Sequence, residues 1–139
     1  MDMLAEQIAK HMEYFGFQIE RRESKKEGAP SYYVARSEEH GTYRIVQQAP
    51  YFVLLTIGIH SNREPSPEMA EFMNELNAKL LVCRAWYEKA EKGVVVLFEA
   101  PYMGLYKKDL FSEFFDHVRS DRRAMRTAGD CEKIFSNKE

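Results

Sequence analysis

The feature that most constrains the fold is the order in which hydrophobic periodicity changes along the chain. A segment with helical spacing is followed by a block of strand-like segments, a second helix, a two-strand hairpin and a third helix. This order predicts an α+β fold with an antiparallel block of three to four strands and a separate hairpin. The chain has 139 residues, 45% of them hydrophobic, which suits one core. Residues 1–129 are therefore predicted to form a single domain and residues 130–139 a loose tail.

The first helix is indicated by apolar residues whose spacing places them on one helical face. These residues are Leu4, Ile8, Met12 and Phe15. Asp2 is placed to cap the start of this helix, and Gly16 offers the left-handed conformation that ends helices. The stripe predicts a helix that covers part of the core.

Alternating and β-rich segments follow. Residues 17–20 predict a short strand and residues 23–30 a polar surface loop. Residues 32–36 and 43–48 predict a hairpin, because both are rich in β-branched and aromatic residues and a polar turn separates them. Residues 52–59 are apolar at nearly every position, which predicts a central strand covered on both faces.

The second helix has the clearest local signal. Ser66 can cap the helix, and Pro67 suits the first helical position. Glu68 lies near the positive end of the helix dipole, which its negative charge stabilises. The residues at core spacing are Met69, Phe72, Met73, Leu76 and Leu80. Methionine and aromatic residues in this arrangement usually fill a core, but on a half-covered helix they would form an adaptable surface for a partner.

The C-terminal part of the chain predicts a hairpin and a third helix. Residues 82–89 and 94–100 are the strands, and Gly93 is expected at a positive φ in the turn. Residues 101–106 predict an exposed loop. The apolar residues of the last helix are Leu110, Phe111, Phe114, Phe115, Val118 and Met125. Its apolar stripe weakens after Val118, and Gly129 is a suitable stop.

No residue cluster has the types and spacing of a catalytic, cofactor or metal site. His11, His40, His60 and His117 lie on four different segments, without the pairing typical of zinc ligands. They are interpreted as surface or boundary residues. Nucleophile elbows and glycine-rich phosphate loops are also missing from the sequence. We therefore predict a protein that is not an enzyme and has no cofactor and no metal.

Cysteine usage and hydropathy indicate the cellular setting. Cys83 is interpreted as a small core residue and Cys131 as an exposed thiol, and two cysteines do not make a disulfide scaffold. The longest apolar runs are far shorter than the roughly 20 residues of a membrane helix. These features predict a reduced, cytoplasmic protein that does not bind a membrane.

Charge favours no polyanionic partner. The net charge is −2, and the one basic run, residues 119–126, is interpreted as the solvated face of a helix in which Asp116 and Asp121 dilute the positive charge. Nucleic-acid binding through this run is a weaker hypothesis, and no nucleic-acid partner is predicted.

Three segments carry a family resemblance. They are residues 72–77, with Asn74 and Asn77 in an Asn-x-x-Asn spacing, and the hairpin segments 82–87 and 93–98. With the order of elements, they resemble the YbjN-like family of bacterial proteins described as sensory-transduction regulators, within the type III secretion chaperone-like fold. The resemblance implies a non-enzymatic, commonly dimeric α+β domain that holds another polypeptide.

The resulting hypothesis is a homodimeric protein-binding module, regulatory or chaperone-like, that binds a protein or peptide client. Its working surface is expected to combine the second helix with a sheet edge open to an added strand. The candidate partner-binding residues are Met69, Phe72, Met73, Leu76 and Trp86. The alternative is a small-molecule-binding or enzymatic domain with a pocket between sheet and helices. The residues expected to line that pocket are Tyr32, Tyr43, Trp86 and Tyr102.

Overall fold

The computed structural model describes residues 3–25, 27–29, 31–127 and 134–135. Its elements, in chain order, are α1 (Met3–Tyr14), β1 (Gln18–Arg22), β2 (Tyr32–Ser37), β3 (Gly41–Ala49), β4 (Phe52–Ser61), α2 (Pro67–Asn77), β5 (Arg84–Lys89), β6 (Val94–Met103) and α3 (Lys108–Thr127). The predicted α+β class and the predicted order of elements are confirmed. None of the described helices has the length and apolar character needed to cross a membrane.

The strands form one six-stranded antiparallel sheet in the order β1-β2-β3-β4-β6-β5. The first four strands follow one another as hairpins, and β5 pairs with β6. By its contacts the chain divides into two compact units. Unit 1 is Met1–Ile57 with Ala100–Phe115, and unit 2 is Gly58–Glu99 with Asp116–Glu139.

In unit 1, α1 packs on β1, β2 and β3. The buried apolar residues of this unit are Leu4, Ala5, Ile8, Ala9, Met12, Phe17, Val34, Ala35, Tyr43, Ile45, Val53, Leu55, Ala100, Tyr102, Phe111 and Phe115. The rings of Phe17, Tyr43 and Phe115 lie 5.4–6.0 Å apart and meet edge to face, the arrangement that aromatic quadrupoles favour. Leu4, Ile8 and Met12 thus form the predicted inward stripe of α1.

In unit 2, α2 packs on β5. The predicted cap is present, because the Ser66 hydroxyl accepts a hydrogen bond from the backbone N–H of Met69 at 3.3 Å and Pro67 opens the helix. The other end of α2 is tied to β5 by one side chain. The amide of Asn77 donates to the carbonyl of Ala85 and accepts from its N–H, both at 2.8 Å.

Two strand predictions need correction. In β4, Val53 and Leu55 are fully buried but Leu54 is only half-buried, so one face of this strand is closed and not both. β6 continues through Pro101 to Met103, where a loop was predicted. Proline lacks an N–H, but β5 pairs with β6 only as far as Glu99, so Pro101 interrupts no bond of that ladder.

Four predictions about the helical stripes were wrong. Leu80, expected on the core face of the second helix, lies beyond the end of α2 and is only half-buried. Phe15 lies beyond the end of α1 and is half-exposed, and Leu110 on α3 is exposed. The inward face of α3 does not weaken after Val118, because Asp121 and Met125 continue it and both are buried. Asp121 was missed because the spacing of apolar residues alone does not identify a buried carboxylate.

Some predictions fall on residues outside the described ranges. Asp2 as a cap, Gly129 as a helix stop and Cys131 as an exposed thiol are among them. Of the predicted tail, only residues 134–135 are described; the ring of Phe135 lies 5.6 Å from that of Phe72 within unit 2.

Candidate functional site

Unit 1 carries an open pocket of about 340 Å³, here called the His11 pocket. It is lined by Gln7, Lys10, His11, Tyr14, Phe15, Tyr106 and Lys108. The first four lining residues recur at i, i+3, i+4 and i+7, so they share one face of α1. The pocket is therefore built from the C-terminal half of α1 and the segment that leads from β6 into α3.

The end of α1 shapes one wall of the pocket. Gly16 adopts φ 97°, and the N–H of Phe17 reaches back to the carbonyl of Met12 at 3.1 Å. This is the closing pattern that glycine makes accessible at helix ends. As a result Phe15 turns back, and its ring centroid lies 4.8 Å from that of His11.

His11 is the buried polar group of this pocket, with 6% of its surface exposed. Its Nδ1 lies 2.6 Å from the Tyr106 hydroxyl, and its Nε2 lies 3.4 Å from the Ser112 hydroxyl. The ring also meets Phe111 edge to face at 4.7 Å. Both nitrogens therefore have partners that can donate or accept, so a neutral imidazole is satisfied here. The prediction that His11 is a surface or boundary residue was wrong.

The electrostatic surroundings keep His11 neutral. Burial lowers the pKa of its imidazole, and the positive charge of Lys108 lowers that pKa further. Burial, followed by the nearby Tyr102, raises the pKa of the Tyr106 phenol. The hydrogen-bonded pair is thus an uncharged imidazole and a protonated phenol.

The rim of the pocket combines aromatic rings and lysines. The Lys108 ammonium lies 5.8 Å from the centroid of the Tyr14 ring, within cation–π range. Lys10 forms an ion pair with Glu6 at 3.5 Å, and both side chains are largely exposed. In the described part of the chain, no carboxylate lies within ion-pair distance of Lys108.

Exposed apolar side chains are concentrated in unit 1. Eight large hydrophobic residues are exposed among the described residues, and six of them belong to this unit: Tyr14, Phe15, Tyr51, Met103, Leu105 and Leu110. Two of the six line the His11 pocket, and Leu105 directly precedes Tyr106 in the chain. The hydrogen bond from Gly104 N–H to the Tyr51 carbonyl, 2.8 Å, holds this segment beside the β3–β4 turn. The predicted exposed loop is thus exposed at Met103 and Leu105, whereas Tyr102 is buried.

Unit 2 has a polar centre of another kind, formed by Asp121. Its carboxylate accepts hydrogen bonds from the backbone N–H groups of Leu81, Val82 and Cys83 at 2.7–2.8 Å, and only 1% of its surface is exposed. These donors explain why β5 begins at Arg84 and not at residue 82. The N–H groups of Leu81, Val82 and Cys83 donate to Asp121 on α3, so they do not take part in hydrogen bonds between strands.

The Cys83 thiol is influenced by its burial and by the same carboxylate. Burial, followed by the negative charge of Asp121, raises the pKa of the Cys83 thiol well above its usual range. Cys83 was interpreted as a small core residue, but its side chain is half-buried and not fully enclosed.

The candidate partner-binding residues lie together in unit 2, mostly inside its core. Met69, Phe72, Met73 and Leu76 are each at most 7% exposed. Trp86 is half-buried on β5, and its indole N–H donates to Glu99. A partner would reach the four α2 side chains only if the helix moved, so their role in binding stays a prediction.

The residues predicted for the alternative pocket do not line the His11 pocket. Tyr43 and Tyr102 belong to the core of unit 1. The guanidinium of Arg44 lies over the ring of Tyr32 on β2, 5.3 Å from the ring centroid. The aromatic residues named for the alternative pocket therefore differ from those of the His11 pocket, and their role stays a prediction. His11 could have been found, because it lies seven residues after Leu4 and so near the apolar stripe of α1.

The basic run on α3 is partly neutralised. Arg119 pairs with Asp116, and Arg122 is half-buried, whereas Arg123 and Arg126 are exposed. Because Asp121 points inward, it does not dilute the surface charge as was expected.

Comparison of whole structures shows a known fold. The chain superimposes on the crystal structure of YbjN, a proposed transcription regulator from E. coli, with a TM-score of 0.67, over 94% of this chain and 93% of that one, at 9% sequence identity. The chain has the YbjN fold. No family model and no curated protein matches the sequence. The predicted resemblance is thus confirmed for the fold.

Proposed function

We propose that this chain is a cytoplasmic, non-enzymatic regulatory domain that acts as an adaptor by binding another polypeptide. The observation that carries the proposal is that six of the eight exposed large apolar side chains of the described residues belong to unit 1, and two of them line the His11 pocket. Contiguous exposed apolar surface often marks an interaction site, and the rings of Tyr14 and Phe15 are in contact with each other. The shared fold with YbjN, itself a proposed regulator, adds support for a regulatory role.

The degree of exposure supports binding through this surface. Tyr14 is 82% exposed, Met103 67% and Leu105 65%. Covering such side chains gains roughly 25 cal/mol for each Å² of apolar surface removed from water. The apolar side chains of α2 offer no comparable gain, because they are already buried in unit 2.

The partner is proposed to include a second copy of the chain, as the expected homodimer requires. β1 and β5 are the outer strands of the sheet order, and outer strands present backbone groups to which another strand can pair. Sedimentation equilibrium at micromolar concentration tests this part of the proposal. A strict monomer would contradict the homodimer and leave a separate client as the partner.

The adaptor proposal is tested with two matched double variants. Phe15→Ser with Leu105→Ser removes apolar surface at the pocket, and Ile59→Ser with Leu81→Ser removes exposed apolar residues from unit 2. We expect polypeptides that co-purify with the tagged chain to be lost from the first variant and retained by the second. Equal retention by both folded variants, or no retained polypeptide from the native chain, would contradict the proposal.

The alternative, a small-molecule-binding or enzymatic domain, has one observation in its favour. His11 lies between the hydroxyls of Tyr106 and Ser112, which resembles a base placed beside a nucleophile. However, Ser112 is not among the residues that line the pocket, and its distance from Nε2 is 3.4 Å. A fluorophosphonate probe tests this alternative. Labelling of Ser112 that disappears in His11→Gln would favour an enzyme over the adaptor.

A further inference from the structure

We infer that the His11 pocket receives the apolar anchor side chain of an acidic peptide segment. This inference rests on the proposed adaptor function and specifies the chemistry of the partner. It depends on three properties of the pocket: its size and walls, its charge, and the apolar surface beside it.

The size and walls of the pocket suit one large apolar side chain. Its volume of about 340 Å³ is close to the lower end of the range for ligand pockets, roughly 300–1,000 Å³. Three of its lining residues, Tyr14, Phe15 and Tyr106, are aromatic and offer ring faces and edges. A leucine or phenylalanine side chain therefore finds apolar contacts on several sides.

The charge of the pocket favours acidic residues next to that anchor. Its lining contains Lys10 and Lys108 and no carboxylate. No described carboxylate pairs with Lys108, and the pair between Lys10 and Glu6 is exposed, so a ligand carboxylate can replace Glu6 at little cost. The pKa of His11 is lowered by burial and by Lys108, so the positive charge of the lining comes from the two lysines.

The apolar surface beside the pocket favours a peptide over a small molecule. Leu105 and Leu110 flank the lining residues Tyr106 and Lys108 in the chain, and both are exposed. A ligand confined to about 340 Å³ would leave these side chains in water, whereas the flanks of a bound peptide can cover them. The geometry therefore fits a segment that places one side chain inside and continues across the rim.

The test uses a fluorescent synthetic peptide with a central leucine between aspartate and glutamate residues, titrated into the full chain by fluorescence anisotropy. Replacing the leucine by alanine, or the acidic residues by lysine, should each weaken binding at least tenfold. Lys108→Gln should weaken binding of the acidic peptide about three- to tenfold, and raising the salt concentration should reduce this difference. Lys92→Gln, an exposed lysine of unit 2, is the matched control and should have no effect.

Several results would overturn the inference. Equal affinity for acidic and basic peptides, an equal effect of Lys92→Gln, or tight binding of a free aromatic carboxylate without any gain from the peptide would each do so. Self-association that occupies the pocket would also overturn it, seen as a dimer that Lys108→Gln disrupts. If polypeptide capture still depends on Phe15 and Leu105 while the peptide series shows no charge preference, only the inference fails. If polypeptide capture does not depend on Phe15 and Leu105 and the peptides show no charge preference, the proposed function fails as well.

Discussion

The two units bury polar groups in opposite ways. In unit 2, three backbone N–H groups converge on the Asp121 carboxylate, which has no opening to water. In unit 1, His11 has two side-chain hydroxyls as partners and lies in the wall of an open pocket. Backbone donors are held by the fold, whereas side-chain partners can rotate. The comparison teaches that Asp121 holds backbone groups of unit 2 in place, whereas His11 lies in the wall of the pocket for which we propose a ligand.

The largest effect is expected from Asp121→Ala. This change leaves three part-buried N–H groups without their acceptor, so the free energy of unfolding should fall by about 3 kcal/mol. Urea denaturation measures this loss. Asp116→Ala removes an exposed carboxylate from the same helix and should change stability by less than about 1 kcal/mol. Similar values for both variants would remove the distinction between the two units.

The next effect compares two glycines with left-handed backbones. Gly93 in unit 2 has φ +77°, and a Cβ there would lie 2.0 Å from the carbonyl oxygen of Ser61. Gly104 in unit 1 has φ +108°, and a Cβ there would meet nothing within 4 Å. Gly93→Ala should therefore cost about 3 kcal/mol or more, and Gly104→Ala about 1–2 kcal/mol, in urea denaturation. An equal loss of stability in both variants would mean that the backbone around Gly93 adjusts to a Cβ as easily as the loop at Gly104.

A third, smaller effect concerns the thiol of Cys83. Because its pKa is raised, less thiolate is present at pH 8 than for a free cysteine. In a Cys131→Ser background, we expect iodoacetamide to modify the folded chain at least tenfold more slowly than the chain in urea. Asp121→Ala should speed the reaction of the folded chain, provided that it remains folded at the temperature used. Fast alkylation of the native chain would contradict the raised pKa of the Cys83 thiol.

The smallest effect is the titration of His11. Its folded pKa is lowered from 6.5, so the unfolded chain takes up the proton first as the pH falls. The stability linked to this group is complete above about pH 6.5 and is lost as the pH falls toward the folded pKa. Nuclear magnetic resonance should show the His11 ring titrating below pH 6.5. In urea denaturation, the free energy of unfolding should decrease less between pH 7.5 and 5.5 in His11→Gln than in the native chain. The control variant His60→Gln should keep the contribution of His11 to this decrease. A His11 pKa above 6.5 would contradict the neutral imidazole assigned to the pocket.

Local signals in the sequence predicted much of the fold. Ser66 with Pro67 marked the start of α2, Gly16 marked the end of α1, and Gly93 was expected at a positive φ. These features depend on residues close together in the chain, because caps and turns satisfy their own backbone groups. The candidate site was not predicted in this way, since Tyr106 meets His11 across 95 positions of the chain.

The sequence alone established the class, the order and the approximate bounds of the elements, because periodicity and capping are properties of short segments. Tertiary structure decided which polar residues are buried and what they bind. It placed Asp121 on three N–H groups about 40 positions earlier, which delayed the start of β5 to Arg84. It also buried the α2 side chains and left Tyr14 and Leu105 exposed, although all are apolar. Burial depends on what packs against a side chain, and periodicity within one element cannot specify the element that covers it.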